Sequence, residues 1–162
     1  MSATLPAASM LAPGHKITPT EWTQILTAIT AITNIRNFNY IASLTLSSSS
    51  ASYVDITGAT GSITKVYASG TSDILAICGV SSRSGTAGST ITVAVNDGTN
   101  DNAAFKYIHN TANQHNFGFG AVRITGLAAG ALSMKLRAKS SGATMTIDAN
   151  DVGFLWLWEL PK

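Results

Sequence analysis

The chain has 162 residues, enough for one domain of ordinary size with an appendage. Hydrophobic residues at 45% exclude a disordered polymer, and a net charge of +2, with Lys135, Arg137 and Lys139 as the only basic grouping, argues against nucleic acid as the partner. Charged residues make up only 11%, against a usual value of about 25%; the surface must therefore be Ser, Thr, Asn, Gly and Ala, which protects poorly against association.

Residues 1–17 combine Pro6, Pro13 and Gly14 with Ala, Ser and isolated apolar side chains, a composition that predicts an extended arm. The first eleven residues have no basic segment followed by a long apolar one, so no secretory signal is expected. No run approaches the roughly 20 apolar residues of a membrane span, so no membrane insertion is expected either.

Thr18-Pro19-Thr20-Glu21 spells a helix start, with Thr18 as N-cap, Pro19 in the first turn and Glu21 placed to reach back in a capping box. Over residues 18–37, Trp22, Ile25, Leu26, Ile29, Ile32 and Ile35 recur at helical spacing. The subset Trp22, Ile25, Ile29 and Ile32 has the three-and-four spacing of a coiled-coil seam, and isoleucine there favours three or more strands. The same stripe could instead pack on the chain's own β-sheets. The β-branched residues Thr23, Thr27, Thr30 and Thr33 lower intrinsic helicity and leave the segment dependent on packing.

From residue 38 to 162 the pattern changes to period two. Strands are predicted at 40–47, 52–57, 62–68, 73–80, 89–96, 103–109, 116–125, 131–138, 144–148 and 152–159, separated by turns rich in Ser, Gly, Asn and Asp. This predicts a mainly β domain, an antiparallel β-sandwich of jelly-roll type, behind an extended arm and one short helix. The lone cysteine, Cys78, lies in an apolar run and reads as a small core residue in a protein made in a reducing cytosol.

Two strands carry more information than the rest. In 151–160, Phe154, Trp156 and Trp158 share one face and Leu155 and Leu157 the other, so both faces want cover. A sandwich covers one of them. A neighbouring subunit, or the chain's own helix, would cover the other. In 116–123, glycines alternate with aromatics, as in a strand approached closely by another backbone.

No catalytic constellation emerges, and no cofactor is expected. His109 and His115 flank a polar loop and read as surface residues; they lack carboxylate or thiol partners at metal-ligand spacing. The segment 96–102 is faintly like a calcium loop but reads better as a hairpin turn. Ser62-Ile-Thr-Lys65 spells an acyl-transfer motif on a predicted strand, where positions i and i+3 point to opposite faces.

The passage Ala12-Pro-Gly-His-Lys-Ile-Thr-Pro-Thr-Glu-Trp-Thr-Gln-Ile-Leu26, followed by Asn34-Ile-Arg-Asn37, resembles the opening of small virion proteins of tailed bacteriophages. The Ser-rich first strand pair and the aromatic-leucine final strand are similar to the trimeric jelly-roll heads that such phages display on capsids and fibres. The resemblance implies a homotrimer in the virion, made in the host cytoplasm, with arm and helix docking on a major capsid or other virion protein. Leu5, Met10, Leu11 and Ile17 would anchor the arm, and three linked arms would multiply weak contacts. Trp22, Ile25, Ile29, Ile32, Phe154, Trp156 and Trp158 are the expected oligomer contacts. The alternative expectation is a tail-fibre head that recognises a cell-surface glycan through Tyr53, Tyr107, His109, Asn113 and His115.

Overall fold

The computed structural model describes residues 18–25, 36–41, 44–141, 143–148 and 150–162. A helix, α1, covers residues 19–25. The predicted capping box is present: the Thr18 backbone N–H donates to Glu21 Oε2 at 2.8 Å, and the Glu21 N–H donates to Thr18 Oγ1 at 3.3 Å. Trp22 is exposed and Ile25 half-buried. Ile29, Ile32, Leu5, Met10, Leu11 and Ile17 lie outside the described residues.

Ten strands follow among the described residues: β1 (Arg36–Ile41), β2 (Leu46–Ser48), β3 (Val54–Lys65), β4 (Ser72–Ser84), β5 (Ser89–Asn96), β6 (Asp101–His109), β7 (Asn116–Ile124), β8 (Gly130–Ser140), β9 (Met145–Ile147) and β10 (Gly153–Pro161). They form two antiparallel sheets, a jelly-roll-like sandwich. One sheet runs β1-β10-β4, with β7 on β4 and β9-β2 continuing from the end of β4; the other runs β3-β8-β5-β6.

The core lies between the sheets and follows the period-two pattern directly. Ile74, Ala76, Cys78 and Val80 of β4 and Leu155 and Leu157 of β10 face Ile91, Val93 and Val95 of β5 and Met134, Leu136 and Ala138 of β8. Cys78 is fully buried, and that burial pushes its thiol up to about 12.

Three expected boundaries shift. Segments 52–57 and 62–68 belong to one strand, β3; the intervening Thr57–Gly61 is a bulge, with Gly58 at φ +85° and a register shift between Asp55 and Thr60. Five residue steps along β3, from Asp55 to Thr60, here span two along β8, from Arg137 to Lys135, and Ile56 and Ala59 are both buried within this stretch, so the extra residues keep the apolar side chains inward. Segment 40–47 is two strands that pair with different partners, β1 with β10 and β2 with β9. Arg36 and Asn37, placed with the helix by sequence, instead start β1 opposite Trp158 and Leu157.

Candidate assembly surface

The sheet β1-β10-β4-β7 has its inner face in the core, so every second residue of β10, β4 and β7 points outward. On β10 these are Phe154, Trp156, Trp158 and Leu160, half-buried, while Leu155, Leu157 and Glu159 point inward and are buried. On β4 they include Leu75, Ile77 and Gly79; on β7, Phe117, Phe119 and Ala121. The register sets these side by side: Trp156 is opposite Ile77, which is opposite Ala121, and Phe154 is opposite Gly79, which is opposite Phe119. The outcome is an apolar surface three strands wide.

Gly79 decides the relief of that surface. A Cβ there would sit 2.6 Å from Phe154 Cε1 and 2.7 Å from Phe117 Cζ. Because the central strand lacks a side chain at this point, the two rings close over it, stacked at 6.3 Å and 28°. Trp156 and Trp158 stack beside them at 6.4 Å and 8°. Phe117 remains 51% exposed and Phe119 71% exposed. An isolated exposed aromatic is ordinary, but two neighbouring phenylalanines continuous with a Phe-Trp-Trp row form a patch of the kind that marks an interaction site.

Among the described residues of β10, β4 and β7, charge on this face lies at the margin. Arg123, outward on β7, donates from Nε to Asp73 Oδ2 at 2.6 Å, and Lys162 Nζ lies 3.1 Å from Asp73 Oδ1. Burial alone would raise the Asp73 carboxyl, but the hydrogen bonds and charges of Arg123 and Lys162 outweigh it and hold the group below the ordinary carboxylate range.

The glycines of β7 face the opposite way. A Cβ on Gly120 would lie 2.7 Å from the Ala104 carbonyl oxygen, and one on Gly118 would lie 2.6 Å from the Tyr107 ring. The close approach expected from the glycine-aromatic alternation is therefore made by β6, which leaves Phe117 and Phe119 on the outside.

The histidines depart from expectation. His109 is not a surface residue. It is fully buried at the end of β6, with Nε2 3.2 Å from Ser82 Oγ and Nδ1 3.3 Å from Asn116 Nδ2. Tyr107, one turn of the pleat earlier, bonds to the same Ser82 hydroxyl at 2.5 Å, and burial pushes its phenol up to about 12. Burial lowers the His109 imidazole below its ordinary value. Two of the five residues named for glycan contact are thus part of an internal polar network.

His115 stays at the surface and pairs with the buried Asp151, Nδ1 to Oδ1 at 2.8 Å. Asp148 completes a group whose ligand atoms lie within 4.8 Å of one another, a set that could hold a metal ion by donor type. Each member is already engaged: Asp151 also accepts from Ser81 Oγ at 2.6 Å and from the Asp148 N–H at 2.9 Å, and Asp148 pairs with Arg83 at 3.5 Å. This arrangement fixes the turn between β9 and β10.

A second internal clamp had no signal in sequence. Lys65 and Glu159, both fully buried, lie 3.7 Å apart. Glu159 accepts from the N–H groups of Val66 and Tyr67 at 2.8 and 2.9 Å and from Ser72 Oγ at 2.6 Å, while Lys65 Nζ donates to the carbonyls of Tyr67 and Ala68 at 2.5 and 3.2 Å. The β3–β4 connection is thereby tied to β10. Ser62 is exposed and Lys65 buried, on opposite faces of β3, so the Ser-x-x-Lys spelling brings no nucleophile to a base.

No family model and no characterised protein sequence matches the chain. Among solved structures, latent PorU from Porphyromonas gingivalis aligns at TM-score 0.47 and 8% identity, over 78% of this chain and 13% of that one. The infectious bursal disease virus VP2 subviral particle aligns at 0.46 and 16%, over 78% of this chain and 33% of that one. Eiger TNF from S. frugiperda aligns at 0.46 and 12%, over 78% and 94%. Likenesses of this size carry nothing about function.

Proposed function

We propose that this chain is a non-enzymatic virion structural subunit that assembles with copies of itself, as a trimer, through the outer face of β10, β4 and β7. The observation that supports this most is the exposed pair Phe117 and Phe119, continuous with Phe154, Trp156 and Trp158 on a face where the charges among the described residues of β10, β4 and β7 lie at the margin. Burying aromatic area in this way drives association, and aromatic residues are enriched at the centres of interfaces. The Ile-rich seam of the N-terminal segment adds a preference for three strands over two.

In this reading residues 1–17 attach the assembled head to a capsid or other virion protein, with Leu5, Met10, Leu11 and Ile17 as anchors. The role is mechanical: each arm binds weakly, and linkage of three raises the effective concentration of the second and third. Removing residues 1–17 should abolish co-sedimentation with capsid shells while leaving the solution mass per particle that of an oligomer. Retained co-sedimentation would contradict attachment through the arm.

A further inference from the structure

We infer that the outer face of the second sheet holds a binding site for an acidic saccharide, a sugar unit that carries a carboxylate or phosphate group, between Lys106 of β6 and Lys139 of β8. The starting point is the pairing of cations. Among the described residues, Lys65, Arg83, Arg123, Lys135, Arg137 and Lys162 each lie within ion-pair distance of a carboxylate, and Lys106 and Lys139 do not. These two are neighbours. The register sets both opposite Thr92 of the intervening β5, so they stand two strand spacings apart, about 10 Å.

The short side chains of β5 make the space between them. Thr90 and Thr92 lie lower than the flanking lysines, and Ala51, Ser140 and Ser141 close the end of a depression of about 240 Å³. That is smaller than the roughly 300–1,000 Å³ of pockets for drug-sized ligands and suits one charged unit. Among the described residues the hydroxyls of Thr90 and Thr92 make no hydrogen bond within the chain, whereas Ser141 Oγ accepts the Thr90 N–H at 2.9 Å and keeps its own proton to donate. Lys139 is held in place by the Tyr53 ring, its Nζ 4.6 Å from the centroid.

Two lysines that line one depression on either side of a threonine favour an anion between them, and hydroxyls around that anion favour a ligand that itself bears hydroxyls. Nucleic acid fits less well, because the adjacent Lys135 and Arg137 are committed to Asp55 and Asp101, which leaves two cations for a chain of phosphates. The site lies on the face opposite the aromatic surface, so copies joined through that surface would each present it outward, and weak sites would act together.

The test is an NMR titration of the full-length ¹⁵N-labelled protein with glucuronate, glucose 6-phosphate, glucose and inorganic phosphate. Saturable shifts at the Thr90, Thr92 and Ser141 amides with the two acidic sugars and none with glucose are expected. The double variant K106Q/K139Q should weaken them on the order of ten-fold or more, and K135Q should leave them unchanged. Absence of saturable shifts, or undiminished binding by a folded K106Q/K139Q protein, would overturn the site. Inorganic phosphate binding as tightly as glucose 6-phosphate would overturn the assignment to a sugar.

Discussion

The two outer faces of the sandwich arise from the same alternation of in and out, yet they carry opposite chemistry. On β10, β4 and β7 the outward positions hold Phe, Trp, Leu and Ile; on β3, β8 and β5 they hold Asp55, Lys135, Arg137, Lys139, Thr90 and Thr92. A sheet that needs water on its outer side carries ions and hydroxyls, as the second sheet does apart from Ile108 of β6, opposite Thr90 and 52% exposed. Among the described residues the aromatic side of the first sheet carries such groups at its margin, Arg123, Asp73 and Lys162. The proposed assembly uses the first face, and the proposed saccharide site lies on the second.

Both faces depend on the clamp between β3 and β10. Glu159→Leu removes the acceptor of three hydrogen bonds and strands the buried Lys65; it should cost about 3–5 kcal/mol in urea unfolding and weaken every function of the head. A loss under 1 kcal/mol would show that the clamp contributes little. Next, Gly120→Ala presses a methyl group onto the Ala104 carbonyl and should cost about 1–3 kcal/mol while leaving the outward aromatics chemically intact. Oligomer mass measured at equal folded fraction should not change.

Acid sharpens the contrast between buried and exposed polar groups. The folded His109 imidazole is held below its ordinary value by burial, so the unfolded chain takes up a proton first, near pH 6.5. Stability should be fully present above that pH and fall as pH drops through 6.5 toward the folded value. His109→Gln should flatten this part of the profile in urea midpoints taken at pH 8, 6 and 5; an unchanged slope would assign the acid sensitivity to other groups. The smallest effect belongs to the second face. Lys135→Gln removes an exposed ion pair with Asp55, 3.1 Å long, and should change stability by no more than about 1 kcal/mol.

Much of this arrangement was legible in the sequence where a signal is local. The capping box at Thr18 and Glu21, the single face shared by Phe154, Trp156 and Trp158, and the close approach at Gly118 and Gly120 each follow from residues a few positions apart. In sequence the bulge in β3 has the composition of a turn because Gly58 and Gly61 serve either purpose, and only the pairing with β8 distinguishes them. The polarity of His109 and Tyr107 suggests exposure; the Ser82 hydroxyl that satisfies both inside the sandwich is 27 residues from His109. The Lys65–Glu159 clamp joins distant segments and leaves no periodic trace. Ionic and polar partners remote in sequence are what a pattern of hydrophobicity does not contain.

Assembly as proposed requires the aromatic face to be covered by another copy of the chain, and light scattering of the full-length protein beside Phe119→Lys tests this most directly. Phe119 is 71% exposed, so the substitution should leave folding within about 0.5 kcal/mol of the parent. The parent is expected to have the mass of an oligomer, three chains, and the variant that of a smaller species with an unchanged circular dichroism spectrum. A monomeric parent, or an oligomer whose mass is unaffected by a lysine at that position, would contradict assembly through this face.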